Sequence, residues 1–342
     1  TCVISSYLIA SMFLGANTAA QLHAVKQIPP TIRAEEWPSH RRQILDGLQQ
    51  VMGTLPDRTG LPEVRWEVLS ESEIAPSLIS QRIRFESEEG NWVPAYLLIP
   101  SQSGDGSLPA VLCLHQTIPI GKDEPVGLGG SPNLHYAIEL ASRGFVALAP
   151  DYPSFGDYEY DFARHPQWPS GSLKAVWDNM RAVDLLTQHA AVDPNRIGCI
   201  GHSLGGHNAI FTAVFDERLR AVVSSCGFTR FHKYYGGDLK GWTSLRYMPR
   251  IAIEYGSDPD RVPFDFPQLI AAIAPRAFFS SSPQHDANFD CQGVRETIDE
   301  AIAVFTALGV RDRLEVVYPD CEHDFPETSR RAAYRFLEEQ LR

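Results

Sequence analysis

The sequence predicts an α/β architecture, a mostly parallel central sheet with helices on both faces and an aromatic-rich insertion over its functional end. Three observations predict it. Apolar strand patterns alternate with helical ones from residue 79 onward, and a Gly-His-Ser-Leu-Gly turn at 201–205 joins one such strand to a helix. A dense set of aromatic residues between Phe228 and Phe266 then interrupts the alternation. Strand–helix–strand order places successive strands side by side and parallel, joined by right-handed crossovers.

Residues 1–20 hold an apolar stretch, with Val3, Ile4, Tyr7, Leu8, Ile9, Met12, Phe13 and Leu14, followed by Asn17-Thr18-Ala19-Ala20. It is similar to the apolar core and small-residue cleavage site of a signal peptide, without the basic region such peptides carry. The expectation is a secreted or periplasmic protein, and a cytoplasmic one if this segment is a buried helix. The stretch is short for a membrane span.

Residues 21–78 are expected to form a helical extension, because Trp37, Ile44, Leu48 and Val51 lie near one face of a helix that Gly53 and Pro56 end. The main domain is expected at 79–342. It opens with a hairpin, Ile79–Phe85 and Val93–Ile99, joined by Glu88-Glu89-Gly90-Asn91. A Gly/Ser linker at 101–107 leads into Ala110–His115, apolar enough for a strand covered on both faces. A helix at 134–143, a strand at 145–149 and a helix at 173–188 lead to the strand Ile197–Ile200. Further strands are read at 221–225, 277–281 and 314–318, and the cap-like insertion at about 227–268.

The chain has 342 residues, 44% of them hydrophobic and 21% charged, enough to bury a large core. Its net charge of −12, with no Lys/Arg-rich run, excludes nucleic acid as the main partner, since that affinity comes from clustered cations. Oligomeric state is left open by the sequence.

Gly201-x-Ser203-x-Gly205 after a strand and before a helix is the nucleophile-elbow pattern. Glycines on either side let neighbouring backbone approach closely, so the serine can occupy a strained turn with its hydroxyl lifted clear. A serine hydroxyl needs a base within hydrogen-bond reach and a third group to orient that base. Two later strands are each followed by a suitable loop, His285-Asp286 after 277–281 and Cys321-Glu322-His323-Asp324 after 314–318. Ser203 is therefore read as nucleophile, Asp286 as orienting acid and His323 as general base. Asp290 is the rival acid, and His285 is a weaker base because it precedes the acid.

The oxyanion donors are expected from the backbone of Leu204 and from the loop after Ala110–His115, with Thr117 first and Gln116 in reserve. His115, His202 and His207 are read as packing residues. Asp286-x-Asn288-x-Asp290 resembles the start of a calcium loop, but Cys291 replaces the required glycine and Thr297 the terminal glutamate. No metal or cofactor is expected. Cys291 and Cys321 each lie near a proposed catalytic residue, and a disulfide between them would tie the two loops; spacing alone does not fix the pairing.

With these residues in view, the chain resembles the α/β-hydrolase superfamily, and within it the dienelactone-hydrolase-like and acetyl xylan esterase-like serine esterases. The carrying motifs are Leu114-His-Gln-Thr117, Arg143-Gly-Phe-Val-Ala-Leu-Ala-Pro-Asp151, Gly201-His-Ser-Leu-Gly-Gly206, Ala274-Pro-Arg-Ala-Phe-Phe279 and Cys321-Glu-His-Asp-Phe-Pro326. Dienelactone hydrolases proper use a cysteine nucleophile where this chain has Ser203, which favours ordinary esters.

The resemblance implies a serine carboxylesterase working through an acyl-enzyme on small acyl esters, with acetyl or feruloyl esters of plant polysaccharide the substrates suggested by the aromatic insertion. The alternatives are a serine peptidase or thioesterase on the same fold, or a non-catalytic binding protein. A lipase would want a more continuously apolar lid than Lys233, Asp238, Lys240 and Arg246 allow.

Overall fold

The computed structural model describes residues 28–101 and 107–341. The proposed signal peptide and the centre of the Gly/Ser linker lie outside the described residues. A nine-stranded sheet in the order β1-β2-β3-β5-β4-β6-β7-β8-β9 forms the centre. Its strands are β1 (Trp66–Ala75), β2 (Leu78–Glu88), β3 (Asn91–Pro100), β4 (Leu108–Leu114), β5 (Val146–Pro150), β6 (Val192–His202), β7 (Leu219–Ser225), β8 (Ala277–Ser281) and β9 (Leu314–Val317). From β5 across to β9 every neighbouring pair is parallel, and β1 to β3 form an antiparallel flank.

The central strands follow from their composition. β5 and β8 are buried along their whole length, as strands with helices on both faces must be. Two apolar layers result. One holds Leu112, Leu148, Ile197, Val222 and Phe278 beneath helices on one face, and the other holds Val111, Ala147, Ile200, Val223 and Phe279 on the opposite face.

Eight α-helices are described: α1 (Trp37–Met52), α2 (Tyr136–Ala141), α3 (Gly171–Gln188), α4 (Leu204–Phe215), α5 (Arg250–Ile253), α6 (Phe266–Ile273), α7 (Cys291–Ala307) and α8 (Glu327–Leu341). None of the described helices is long and apolar enough to cross a membrane. In α1 the residues Trp37, Ile44, Leu48, Val51 and Met52 are buried, and the helix packs against α5 and α6. Gly47 permits that contact, because a Cβ there would lie 2.6 Å from the Pro263 carbonyl oxygen.

One element corrects the sequence reading. Residues 66–75, assigned above to the helical extension, form β1 and pair with β2, so the sheet begins before residue 79. β1 is almost wholly exposed and rich in Glu and Ser, so it lacks the apolar alternation that marks a half-buried strand. Such charge on an edge strand discourages further pairing. In α3 burial extends all round the helix, including Lys174, Asp178, Asn179 and Arg181. Lys174 Nζ meets Asp178 Oδ1 at 2.6 Å, so the polar residues are buried in pairs.

Candidate active site

The elbow is built from backbone contacts. A Cβ on Gly201 would lie 2.3 Å from the Gly205 backbone, and one on Gly205 would lie 1.9 Å from the Leu114 carbonyl oxygen. Only glycine fits at either position. Between them Ser203 adopts φ 54° and ψ −114°, a conformation that costs a non-glycine residue about 1–3 kcal/mol. Its N–H donates to the Ser225 carbonyl at 2.8 Å, and its carbonyl accepts from the His207 N–H at 3.1 Å as α4 begins. Leu204 is the first residue of α4, so its N–H has no intrahelical partner and the helix dipole is positive there.

The acid and base loops meet at the same end of the sheet. His323 Nδ1 lies 2.8 Å from Asp286 Oδ2. Asp286 Oδ1 accepts N–H bonds from Asn288 at 2.8 Å and Phe289 at 3.1 Å. Burial alone would raise the Asp286 carboxyl. The His323 hydrogen bond and charge, with those two N–H groups, instead hold it below its ordinary value. With Asp286 ionised, Nδ1 of His323 carries the proton and Nε2 is left with a lone pair. The His323 ring is flanked by Phe289, centroids 6.0 Å apart, and by His202 at 4.9 Å.

The rivals fall elsewhere. Asp290 caps α7, its Oδ1 accepting the Gly293 N–H at 2.8 Å. His285 is exposed and faces Asp320 at 2.7 Å. Cys291 and Cys321 are both free thiols, so the two loops are held by hydrogen bonds, among them Gln284 N–H to Pro319 O at 2.9 Å and His285 N–H to Cys321 O at 3.1 Å.

Of the two loop residues considered for the oxyanion hole, the structure brings Thr117 to a cleft of about 140 Å³ that Ser203, Leu204, His207, Tyr234, Tyr235, Trp242, Tyr247, Asn288 and Phe289 also line. Thr117 Oγ1 lies 3.1 Å from the Tyr247 hydroxyl. The Gln116 side chain turns away and donates to Glu124 Oε1 at 3.1 Å. His115 is buried below this loop. Its Nδ1 donates to the Gln116 carbonyl at 2.6 Å, so its Nε2 accepts the Tyr152 N–H at 2.9 Å. Burial pushes the His115 imidazole down to about 4, which keeps it neutral.

The sequence reading passed over Cys226. Its sulfur, the Asp286 carboxylate and a His323 ring nitrogen lie within 4.8 Å of one another. The thiol donates to the Asp324 carbonyl at 3.4 Å, and burial raises it well above its ordinary value, so it stays protonated and is no rival nucleophile. Its only sequence signal is its place just after an apolar strand. The aromatic insertion, by contrast, was legible as a segment but not residue by residue. Phe228, Phe231, Phe264 and Phe266 are core, while Tyr234, Tyr235, Trp242 and Tyr247 border the cleft.

The model of the prolyl oligopeptidase family (Peptidase_S9) matches residues 132–261. YtaP of Bacillus subtilis (strain 168), named as a hydrolase, is 28% identical over 311 residues, covering 86% of this chain and 97% of that protein. Among solved structures, a glucuronoyl esterase from Solibacter usitatus superposes with a TM-score of 0.71 at 18% identity, covering 90% of this chain and 94% of its own. An acetyl xylan esterase from Paenibacillus sp. R4 gives 0.59 at 21% identity, covering 94% and 99%. The chain has the α/β-hydrolase fold. The nine-stranded sheet carries a flank of three antiparallel strands, and the elbow stands at the carboxyl end of β6. That is where open parallel sheets of this kind place their ligands.

Proposed function

We propose that this α/β-hydrolase is a serine carboxylesterase in which Ser203 is the nucleophile, His323 the general base and Asp286 the orienting acid. The observation that carries the reading is the 2.8 Å Asp286–His323 hydrogen bond in the loops beside an elbow whose serine lines the cleft. His323 Nε2 takes the Ser203 proton as the hydroxyl attacks the ester carbonyl, and the Leu204 and Thr117 N–H groups hold the oxyanion. His323 then protonates the departing alcohol. Water, deprotonated by the same nitrogen, hydrolyses the acyl-enzyme.

The lining of the cleft supports carbohydrate esters as the substrate class. It is aromatic and hydroxyl-bearing, and none of the lining residues is charged. The solved relatives named above as glucuronoyl and acetyl xylan esterases point the same way. Acetyl, feruloyl or uronoyl esters of plant polysaccharide are the class to test, and export from the cell fits a polymeric substrate.

The deciding experiment is hydrolysis of p-nitrophenyl esters from acetate to palmitate by the wild type and Ser203→Ala. Short-chain turnover that the substitution lowers by about 10⁴-fold or more supports the reading. A second reading, a serine peptidase, is favoured by the prolyl oligopeptidase match over residues 132–261. Faster turnover of peptide p-nitroanilides than of short-chain esters would replace the first reading with the second.

A further inference from the structure

The mechanism above leaves two buried polar groups at the cleft unused. His207 lies one helical turn past Ser203 on α4 and is 4% exposed, and neither of its ring nitrogens has a hydrogen-bond partner among the described residues. Trp242, 3% exposed, comes from the insertion, and its indole Nε1 is likewise unpartnered. The two rings meet edge-on with centroids 4.7 Å apart, and both border the cleft that holds Ser203. A buried donor or acceptor left unmet costs about 1–3 kcal/mol. Helix α4 buries mainly apolar residues, among them Ala209, Ile210, Phe211, Ala213 and Val214, and its buried Asn208 and Thr212 side chains accept hydrogen bonds from Asn179, whereas no such bond reaches the His207 ring.

We propose that His207 and Trp242 form a hydroxyl-recognising subsite that holds a sugar ring of the ester substrate. The imidazole exchanges a hydrogen bond with one sugar hydroxyl and the indole N–H donates to another. This rests on the esterase reading. Burial pushes the His207 imidazole down to about 3, so at neutral pH it offers one N–H donor and one lone pair. A hydroxyl, donor and acceptor at once, complements that pair, whereas a carboxylate or phosphate would call for a cation. The faces of Tyr234, Tyr247 and Trp242 supply flat apolar surface beside the polar atoms. The imidazole and indole nitrogens lie beneath the surface of the cleft, so a hydroxyl reaches them when a neighbouring side chain shifts; the half-buried Tyr247 ring borders both, 5.9 Å from His207 and 6.2 Å from Trp242.

The sugar can enter as the alcohol half of the ester, as in an acetylated xyloside, or as the acyl half, as in a uronic acid ester. Each arm of the test therefore pairs a sugar ester with its hydroxyl-free ring analogue. Mono-O-acetyl methyl xyloside is compared with cyclohexyl acetate, and methyl glucuronoside methyl ester with methyl cyclohexanecarboxylate. The proteins are wild type, His207→Phe, which keeps an aromatic ring and removes both nitrogens, and His207→Gln, which restores a donor and an acceptor. p-Nitrophenyl acetate reports the chemistry common to all three.

The wild type is expected to favour one sugar ester over its analogue. His207→Phe should lower kcat/KM for that ester by about 10- to 100-fold, mainly through KM, while p-nitrophenyl acetate stays within about threefold. His207→Gln should recover part of the loss. The arm that responds tells which half of the ester carries the sugar. The proposal is overturned if the wild type shows no preference in either arm, or if His207→Phe lowers sugar ester and p-nitrophenyl acetate alike. A wild type that hydrolyses none of the five esters overturns the esterase reading itself, and the subsite with it.

Discussion

The elbow and the aromatic insertion face each other across one cleft and are specified in opposite ways. The elbow is a backbone device. Gly201 and Gly205 are fixed by contacts of 2.3 Å and 1.9 Å that any Cβ would make with main-chain atoms, and main chain cannot move aside cheaply. The insertion is a side-chain device. Gly241 shows the contrast, since a Cβ there would lie 2.2 Å from the Tyr234 hydroxyl, the far end of a half-buried side chain. Chemistry that must hold its nucleophile to a fraction of an ångström is built on the first kind of contact. Recognition that must fit a substrate can use the second.

The largest effect that sharpens this contrast is on the chemistry. Asp286→Asn should lower kcat for p-nitrophenyl acetate by about 10³- to 10⁴-fold with a thermal transition close to wild type, because the amide can present the wrong atom to His323 and leave its tautomer wrong. Steady-state kinetics and a thermal melt check it together. Gly205→Ala should cost about 3 kcal/mol or more, read as a fall in the urea midpoint, because the clash is with the Leu114 carbonyl.

A third test concerns the histidines beneath the site. His115 and His202 are buried and neutral, with values pushed down to about 4 and about 3, burial being the leading cause in each. Unfolded, each returns to about 6.5 and binds a proton the folded state refuses. Their contribution is whole above about pH 6.5 and falls as the pH drops toward 4. Between pH 7 and pH 5 each should lose about 2 kcal/mol of stability. Urea titrations at the two pH values check the direction, and His202→Asn should narrow the gap. The smallest effect should be that of Gly241→Ala, under about 1 kcal/mol in stability with a change in KM for bulky esters, since Tyr234 can swing away. A loss as large as that of Gly205→Ala would erase the distinction between the two regions.

The same distinction explains what the sequence made legible. Gly-x-Ser-x-Gly could be read directly because its glycines answer a local steric demand, and the fully buried strands β5 and β8 because parallel strands covered on both faces read as apolar runs. Asp286 and His323 were chosen by their positions after β8 and β9, and the 2.8 Å contact between them is tertiary. β1 escaped notice because an exposed, acidic edge strand owes its form to pairing with β2. The separation of Phe231 in the core from Tyr247 on the cleft was equally hidden, since both are aromatic residues of one segment and only packing tells them apart. His207 was read as a packing residue. Nothing in sequence spacing reveals that its buried ring nitrogens find no partner.

The central claim is that Ser203 is an activated nucleophile served by His323. Its most direct test is covalent labelling with a fluorophosphonate at neutral pH, followed by intact-mass measurement and peptide mapping of wild type, Ser203→Ala and His323→Ala. The account predicts one adduct per chain on the peptide containing Ser203, none in Ser203→Ala, and labelling slowed by orders of magnitude in His323→Ala. An unlabelled wild type, or an adduct that persists in Ser203→Ala, would contradict it.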